Sequence, residues 1–234
     1  MKHGKRFRSA TALVERDHVY GIQEGIELLK RAATAGFDET AEITFCLGIK
    51  PAQTVVRGTC NLPHGTGKTV RVIAFAKGES QSAAEAAGAD VVGGEDLAKR
   101  IQEGWLEFDK VVATPDMMPV VGKLGKLLGP RGLMPSPKSG TVTKDVGGVI
   151  AELKQGMVEF RTDRQGVVHS IFGKASFDAE ALRENLESLI RSVAEARPEE
   201  GVKGRYIQKV AISSTMGPGL VLDPAEITAV AEGE

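Results

Sequence analysis

The spacing of apolar residues divides the chain into stretches of different character. Ile22, Ile26, Leu29 and Ala33 recur at helical spacing and predict an amphipathic helix that ends near Gly36. Over residues 39–49 the period changes to two. Ile43, Phe45, Leu47 and Ile49 alternate with other residues, as a half-buried strand requires. A second strand is predicted over residues 55–62, and Pro63-His64-Gly65-Thr66-Gly67 breaks the pattern as a turn.

After residue 67 the texture changes. Val70-Arg71-Val72-Ile73-Ala74-Phe75-Ala76 is a nearly continuous apolar run of the kind buried in a parallel sheet. An Ala-rich helix over 81–87, a strand over 89–92, a helix carrying Leu97 and Ile101 and a strand over 110–113 follow in alternation. That order predicts right-handed crossover units. A helix over 120–128, a Gly/Pro-rich loop over 129–137 and a helix over 145–155 that stops at Gly156 complete this block. The earlier style then returns. Strands over 158–161 and 167–172 flank a turn at 163–166, and Leu182, Leu186, Leu189, Ile190 and Val193 form a helical stripe. A last strand covers 206–213. The predicted fold class is therefore α/β with two domains. A discontinuous α+β domain, residues 1–67 and 159–234, is interrupted by a Rossmann-like α/β insertion domain, residues 68–158. Glycines near both crossings, 63–67 and 156–160, predict a hinge.

Composition narrows the class. With 41% hydrophobic and 26% charged residues among 234, the chain can build real cores, and at 5% aromatic these rest on Val, Ile, Leu and Ala. No apolar run approaches the roughly 20 residues of a bilayer span. The basic start, with Lys2, Lys5, Arg6 and Arg8, precedes no apolar segment and is not a secretory signal. Cys46 and Cys60 lack the number and spacing of a disulfide framework, and His3, His18, His64 and His169 share no metal-ligand spacing. No cofactor, metal or membrane partner is expected. Thirty Lys and Arg against 31 Asp and Glu leave a net charge of −1, unusual for a nucleic-acid binder. The charge is segregated, however. No acidic residue lies between Asp116 and Asp145, where Lys123, Lys126, Arg131, Lys138 and Lys144 fall, while Asp223, Glu226, Glu232 and Glu234 stand unopposed after Val210.

Catalytic motifs are weak. Gly65-Thr66-Gly67-Lys68-Thr69 suggests a phosphate loop, but Leu62 occupies the position of its first glycine, and a strand rather than a helix is predicted to follow. Gly122, Gly125 and Gly129 miss the dinucleotide-binding spacing, and no nucleophile elbow or zinc helix is present. A nucleotide-using enzyme is the competing class, and the sequence lacks both its phosphate loop and its acid. A protein-interaction scaffold is a third reading for the inserted domain. Three stretches exceed background. Gly36-Phe37-Asp38-Glu39-Thr40-Ala41-Glu42 is readable also as a helix-to-strand turn with Phe37 as a core plug. Ser214-Thr215-Met216-Gly217-Pro218-Gly219 has small residues, hydroxyls and amides that suit phosphate or 2′-OH contact, but it also reads as a Gly-Pro turn. The basic loop around Arg131 suits backbone phosphates but is by default a solvated loop.

Leu128-Gly129-Pro130-Arg131-Gly132-Leu133-Met134-Pro135, with Pro137-Lys138-Ser139-Gly140-Thr141-Val142, resembles the long signature of the ribosomal L-one proteins. So do Phe37-Asp38-Glu39-Thr40, Arg57-Gly58-Thr59, residues 62–68, Gly173-Lys174-Ala175-Ser176-Phe177 and Thr215-Met216-Gly217-Pro218, in collinear order along nearly the whole chain. The resemblance implies a non-catalytic protein of a bacterial-type, cytoplasmic large ribosomal subunit. It implies three partners: the mobile stalk of large-subunit ribosomal RNA, exit-site tRNA whose release it assists, and the leader of its own mRNA, which it represses. The free protein is expected to be a monomer. Carried over by position, the RNA surface falls on Phe37, Thr40, Glu42, Arg161, Asp163, His169, Lys174, Ser176, Thr215, Met216 and Gly217. Lys123, Lys126, Arg131 and Lys138 are expected to make a secondary RNA contact. The sequence departs from the family pattern at Gly36, usually Lys, at a short 50–56 stretch, and at Ser213-Ser214, often two threonines.

Overall fold

A computed structural model describes residues 4–15, 18–50 and 54–233. The chain forms two compact units, Met1–Gly67 with Val158–Glu234, and Lys68–Met157. The first begins with a helix α1 (Lys5–Thr11) and a two-residue strand β1 (Val19–Tyr20), neither of them expected. Only Ala10 of α1 is buried, so it has no apolar stripe to read. Helix α2 (Ile22–Ala32) follows, with Ile22, Ile26, Leu28 and Leu29 turned inward. Strand β2 (Thr40–Ile49) buries Ala41, Ile43, Phe45, Leu47 and Ile49, and β3 (Arg57–Asn61) precedes the crossing. Part of the shortened 50–56 stretch, residues 51–53, lies outside the described residues.

The second unit runs β4 (Val72–Phe75), α3 (Glu79–Ala86), β5 (Val91–Gly93), α4 (Glu95–Gln102), β6 (Lys110–Ala113), α5 (Met118–Gly122), α6 (Gly125–Leu128) and α7 (Val146–Gln155). Its three strands are parallel in the order β5-β4-β6. Leu97, Ile101, Val121 and Leu128 cover one face, and Ala84, Val146, Ile150 and Leu153 the other. Burial on both faces explains why β4 is apolar at every position. The helix expected over 120–128 is broken between Gly122 and Gly125. Two glycines within four positions each cost about 1 kcal/mol of helix propensity, yet Val121, Leu124 and Leu128 stay buried on one side. Helix α7 is capped by Asp145, which accepts the Gly148 amide, and it ends in left-handed Gly156 as the sequence predicts.

The chain then completes the first unit with β7 (Met157–Arg161), β8 (Val167–Lys174), α8 (Ala179–Glu195), β9 (Val202–Ser214), β10 (Leu220–Leu222) and α9 (Pro224–Glu232). Strands β3 and β7 form a two-stranded ribbon, and the main sheet has the order β1-β10-β9-β2-β8. Strand β2 lies between β9 and the edge strand β8 and pairs with both, antiparallel. One sheet face shares a core with α2 and α8 through Ile26, Ile43, Phe45, Phe172, Leu186 and Ile190. The opposite face presents Glu42, Thr44, His169, Ala211 and Ser213, as an antiparallel sheet with one wet face permits.

One buried side chain ties α8 to the crossing segment. Asn185, fully buried, donates to the carbonyls of Phe172 (2.9 Å) and Gly65 (3.0 Å) and accepts from the amide of His64 (2.9 Å). Asn185→Ala should destabilise the first unit by about 2–3 kcal/mol, because partners left dry and unpaired keep their desolvation penalty. Urea denaturation followed by a fluorophore on α8 measures this, and an unchanged midpoint would refute the anchoring role.

Candidate nucleic-acid interface

The loop leaving α2 and the loop leaving β9 meet at a buried carboxylate. Glu39 is 2% exposed. Its Oε1 accepts the Ala35 amide at 2.8 Å, while Oε2 accepts the Ser214 hydroxyl at 2.8 Å and the Met216 amide at 2.9 Å. Burial works to raise its pKa. The amides of Met216 and Ala35, the Ser214 hydroxyl and the charge of Arg6 outweigh it, so Glu39 is held below the ordinary glutamate value and stays ionised. One anion thus fixes two loops that are distant in sequence.

Around this hub the candidate residues converge. The Thr40 amide donates to the Thr215 hydroxyl at 2.9 Å, and the Thr215 amide donates to the Thr40 carbonyl at 3.1 Å. The Lys174 ammonium donates to the Thr40 hydroxyl at 2.8 Å. Asp38 accepts both the amide (3.1 Å) and the hydroxyl (2.8 Å) of Ser176. Lys174 reaches this cluster after a β-bulge: the partners of Ala41 and Glu42 are Gly173 and Ile171, leaving Phe172 as an extra residue. Two large apolar side chains stay in water on the same loops, Phe37 at 55% and Met216 at 50% exposure. Gly36 is open to solvent, with no atom within 4 Å of where its Cβ would stand.

Gly217 closes the loop at close quarters. Its amide donates to the Ser214 carbonyl at 3.0 Å, and a Cβ there would lie 2.4 Å from the Ser214 Oγ. That hydroxyl is the one bonded to Glu39, so it cannot move without breaking the hub. Gly217→Ala is expected to cost about 1–3 kcal/mol through this overpacking and to broaden the amide resonances of Ser214 and Met216. Sharp, unshifted resonances would show that the loop has more room than its geometry allows.

The other candidates lie elsewhere. Glu42 and His169 sit on the open face of the sheet, where His169 Nδ1 is 3.1 Å from the Thr44 hydroxyl. Arg161 is exposed at the end of β7, in the ribbon rather than the sheet. Asp163 shapes the β7–β8 turn. The amide of Val167 and then that of Gln165 hold its carboxyl below the usual range, with His169 adding to the effect. This turn adjoins Leu47, through the Gly166 carbonyl, at the far end of β2 from Thr40. At the rise of a strand, that separation is roughly 20 Å. The structure therefore brings together Thr40, Lys174, Thr215, Met216 and Gly217, and sets Arg161 and Asp163 apart.

In the second unit, Lys123, Lys126 and Arg131 are exposed, and none has a carboxylate partner among the described residues. Lys138 belongs to a short 3-10 turn (Pro137–Ser139), and its side chain lies outside what is described. Lys68 donates to Asp109 at 2.6 Å and is followed by β4, so Gly65–Lys68 lacks the helix N-terminus that a phosphate loop needs. Among the described residues no three His, Cys, Asp or Glu side chains converge as metal ligands would, and no helix is long and apolar enough to cross a membrane.

The hub, the bulge and the Thr40–Thr215 clasp all lie within residues 28–218, the span matched by the model of the ribosomal protein L1p/L10e family. That span covers most of the chain, and the family is one of structural proteins rather than enzymes. This chain belongs to that family and is a structural, RNA-binding protein of the large ribosomal subunit.

Proposed function

We propose that the first unit acts as an RNA-binding domain and grips the mobile-stalk segment of the large-subunit ribosomal RNA. Its grip is the rim formed by Phe37, Thr40, Lys174, Ser176, Thr215, Met216 and Gly217, extended by Glu42 and His169 along the open sheet face. The observation that carries this reading is the pair of half-exposed apolar residues, Phe37 and Met216, on two loops fixed by one buried carboxylate. Apolar side chains held rigidly among hydroxyls and backbone groups suit ribose and base faces. Threonine and serine hydroxyls suit 2′-OH groups, which distinguish RNA from DNA. The test is sedimentation: the protein should travel with large subunits and leave them when the stalk RNA is deleted.

On this reading the protein also assists release of deacylated tRNA from the exit site and represses its own mRNA, whose leader competes for the same rim. In a gel-shift competition, stalk RNA should displace the leader stoichiometrically. Simultaneous binding of both would refute a shared surface. The free protein acts as a monomer in the cytoplasm, and Arg161, Asp163 and the cations of the second unit serve as secondary contacts.

A rim with few cations also predicts a shallow salt dependence. Each phosphate neutralised contributes a log–log slope of about −0.7 to −0.9. Lys123→Ala with Lys126→Ala should reduce affinity only modestly, mainly at low salt, and flatten the slope by roughly 1–2. If this pair proves more damaging than changes at the rim, the principal RNA surface belongs to the second unit.

A further inference from the structure

At the other end of β9, a cavity of about 340 Å³ is walled by the last turn of α8, by β9 and by α9. Residues 224–232 of its wall lie outside the family-matched span. At the rise of a strand, Ile207 stands roughly 23 Å along β9 from Ser214. Ile207 and Ile227 give the cavity an apolar side. Arg197, Arg205, Tyr206 and Thr228 line the rest, with Glu232 as the one acidic residue, so the lining carries a net charge of +1. Arg205 is pinned to α9 by the Pro224 carbonyl and the Thr228 hydroxyl. Arg197 is exposed, and its guanidinium has no partner among the described residues.

Tyr206 is 7% exposed, and its hydroxyl is buried without a hydrogen-bond partner among the described residues. Burial pushes this phenol up to about 12, against the pull of the Arg197 charge, so the hydroxyl remains a donor at neutral pH. A buried donor with no acceptor is costly, and most such groups in folded proteins are satisfied. Tyr206 and Arg197 both line this cavity, which is of ligand size with an apolar side, and the Arg197 charge acts on the phenol.

We propose that this cavity binds a carboxylate carried on an apolar body, with the carboxylate between Arg197 and Tyr206 and the apolar part against Ile207 and Ile227. Such a group is found both on free organic acids and on the last residue of a peptide chain. A phosphate of the RNA backbone would fill the charge requirement and leave the apolar side empty.

The full-length protein, labelled with ¹⁵N, is titrated separately with phenylacetate, with the peptide acetyl-Gly-Gly-Phe and with inorganic phosphate. Saturable shifts confined to residues 204–207 and 227–231 are expected with phenylacetate, the peptide or both. Response to phenylacetate alone assigns a free acid, and response to the peptide alone assigns a chain terminus. Arg197→Ala should weaken binding about tenfold or more, as loss of a charge-assisted bond does. Tyr206→Phe should weaken it several-fold while leaving the fold at least as stable, since it deletes an unpaired buried hydroxyl. Three results each overturn the proposal: no saturable shift with either carboxylate, equal shifts with phosphate, or wild-type affinity in both variants.

Discussion

Glu39→Ala is expected to leave the first unit folded but to lower its affinity for stalk RNA at least a hundredfold. The substitution strips partners from the Ser214 hydroxyl and from the amides of Ala35 and Met216. Each such loss costs about 1–3 kcal/mol where the group stays dry. Because the two loops border solvent, they escape the full sum by loosening, and the stability cost should be roughly 3 kcal/mol. That loosening is what binding then suffers: Phe37 and Met216 must be ordered again when RNA arrives, at about 1–2 kcal/mol per ordered residue. Glu39→Gln keeps the shape but turns an N–H toward an N–H donor, so it should fall between wild type and alanine. The same carboxylate predicts a pH dependence. Its folded pKa is lowered, so its contribution is complete above the ordinary value of 4.5 and disappears as pH falls through the folded value. RNA affinity in the alanine variant should lack this acid limb. If folded Glu39→Ala binds RNA as tightly as wild type, the loops do not need their anchor and the positioning role is wrong.

Met216→Asp should be nearly as damaging to binding while leaving stability almost untouched. The side chain is half exposed and belongs to no core, so substitution in the free protein is expected to stay within about 0.5 kcal/mol. In the complex the change removes apolar contact and introduces a carboxylate that must lose its water beside phosphates. Together these should cost about 3 kcal/mol, or roughly a hundredfold in affinity. Met216→Ala, which loses only the apolar area, separates the two effects and should cost about tenfold. Equilibrium binding to stalk RNA, with folding checked by circular dichroism, measures all three proteins. An aspartate variant with unchanged affinity would place the RNA elsewhere.

The periodic parts of the fold could be read directly. The helix from Ile22, the strand ending at Ile49, the parallel block and the stripe from Leu182 to Val193 all follow from where apolar residues recur. The ends could not. Helix α1 buries a single residue, and β1 and β10 are two and three residues long, too short to show a period. Helix α9 buries only Ile227, although Asp223 and Pro224 mark its start in the usual way, with Asp223 accepting the Ala225 amide. The candidate site was legible as a set of stretches but not as an arrangement of contacts. Thr40 and Thr215 are 175 positions apart, and no local pattern announces their mutual bonds. One clue was available. Glu39 shares its parity with Ala41, Ile43 and Phe45, which places an acid on the inward side of a strand. A carboxylate in that register must find donors, and the amides of Ala35 and Met216 with the Ser214 hydroxyl supply them.

The position of β2 also has a consequence for how the molecule is made. Its neighbours are β8 and β9, so residues 40–49 leave the synthesising ribosome long before either partner exists. At about 5–20 residues per second, Thr40 waits roughly 10–35 s for Thr215. The inserted segment has no such delay, because all three of its strands and both of its helical faces are encoded between residues 68 and 157. The nascent chain therefore closes its middle first and its two ends last. The surface proposed for RNA is completed only when synthesis is nearly over, so an unfinished copy lacks that rim.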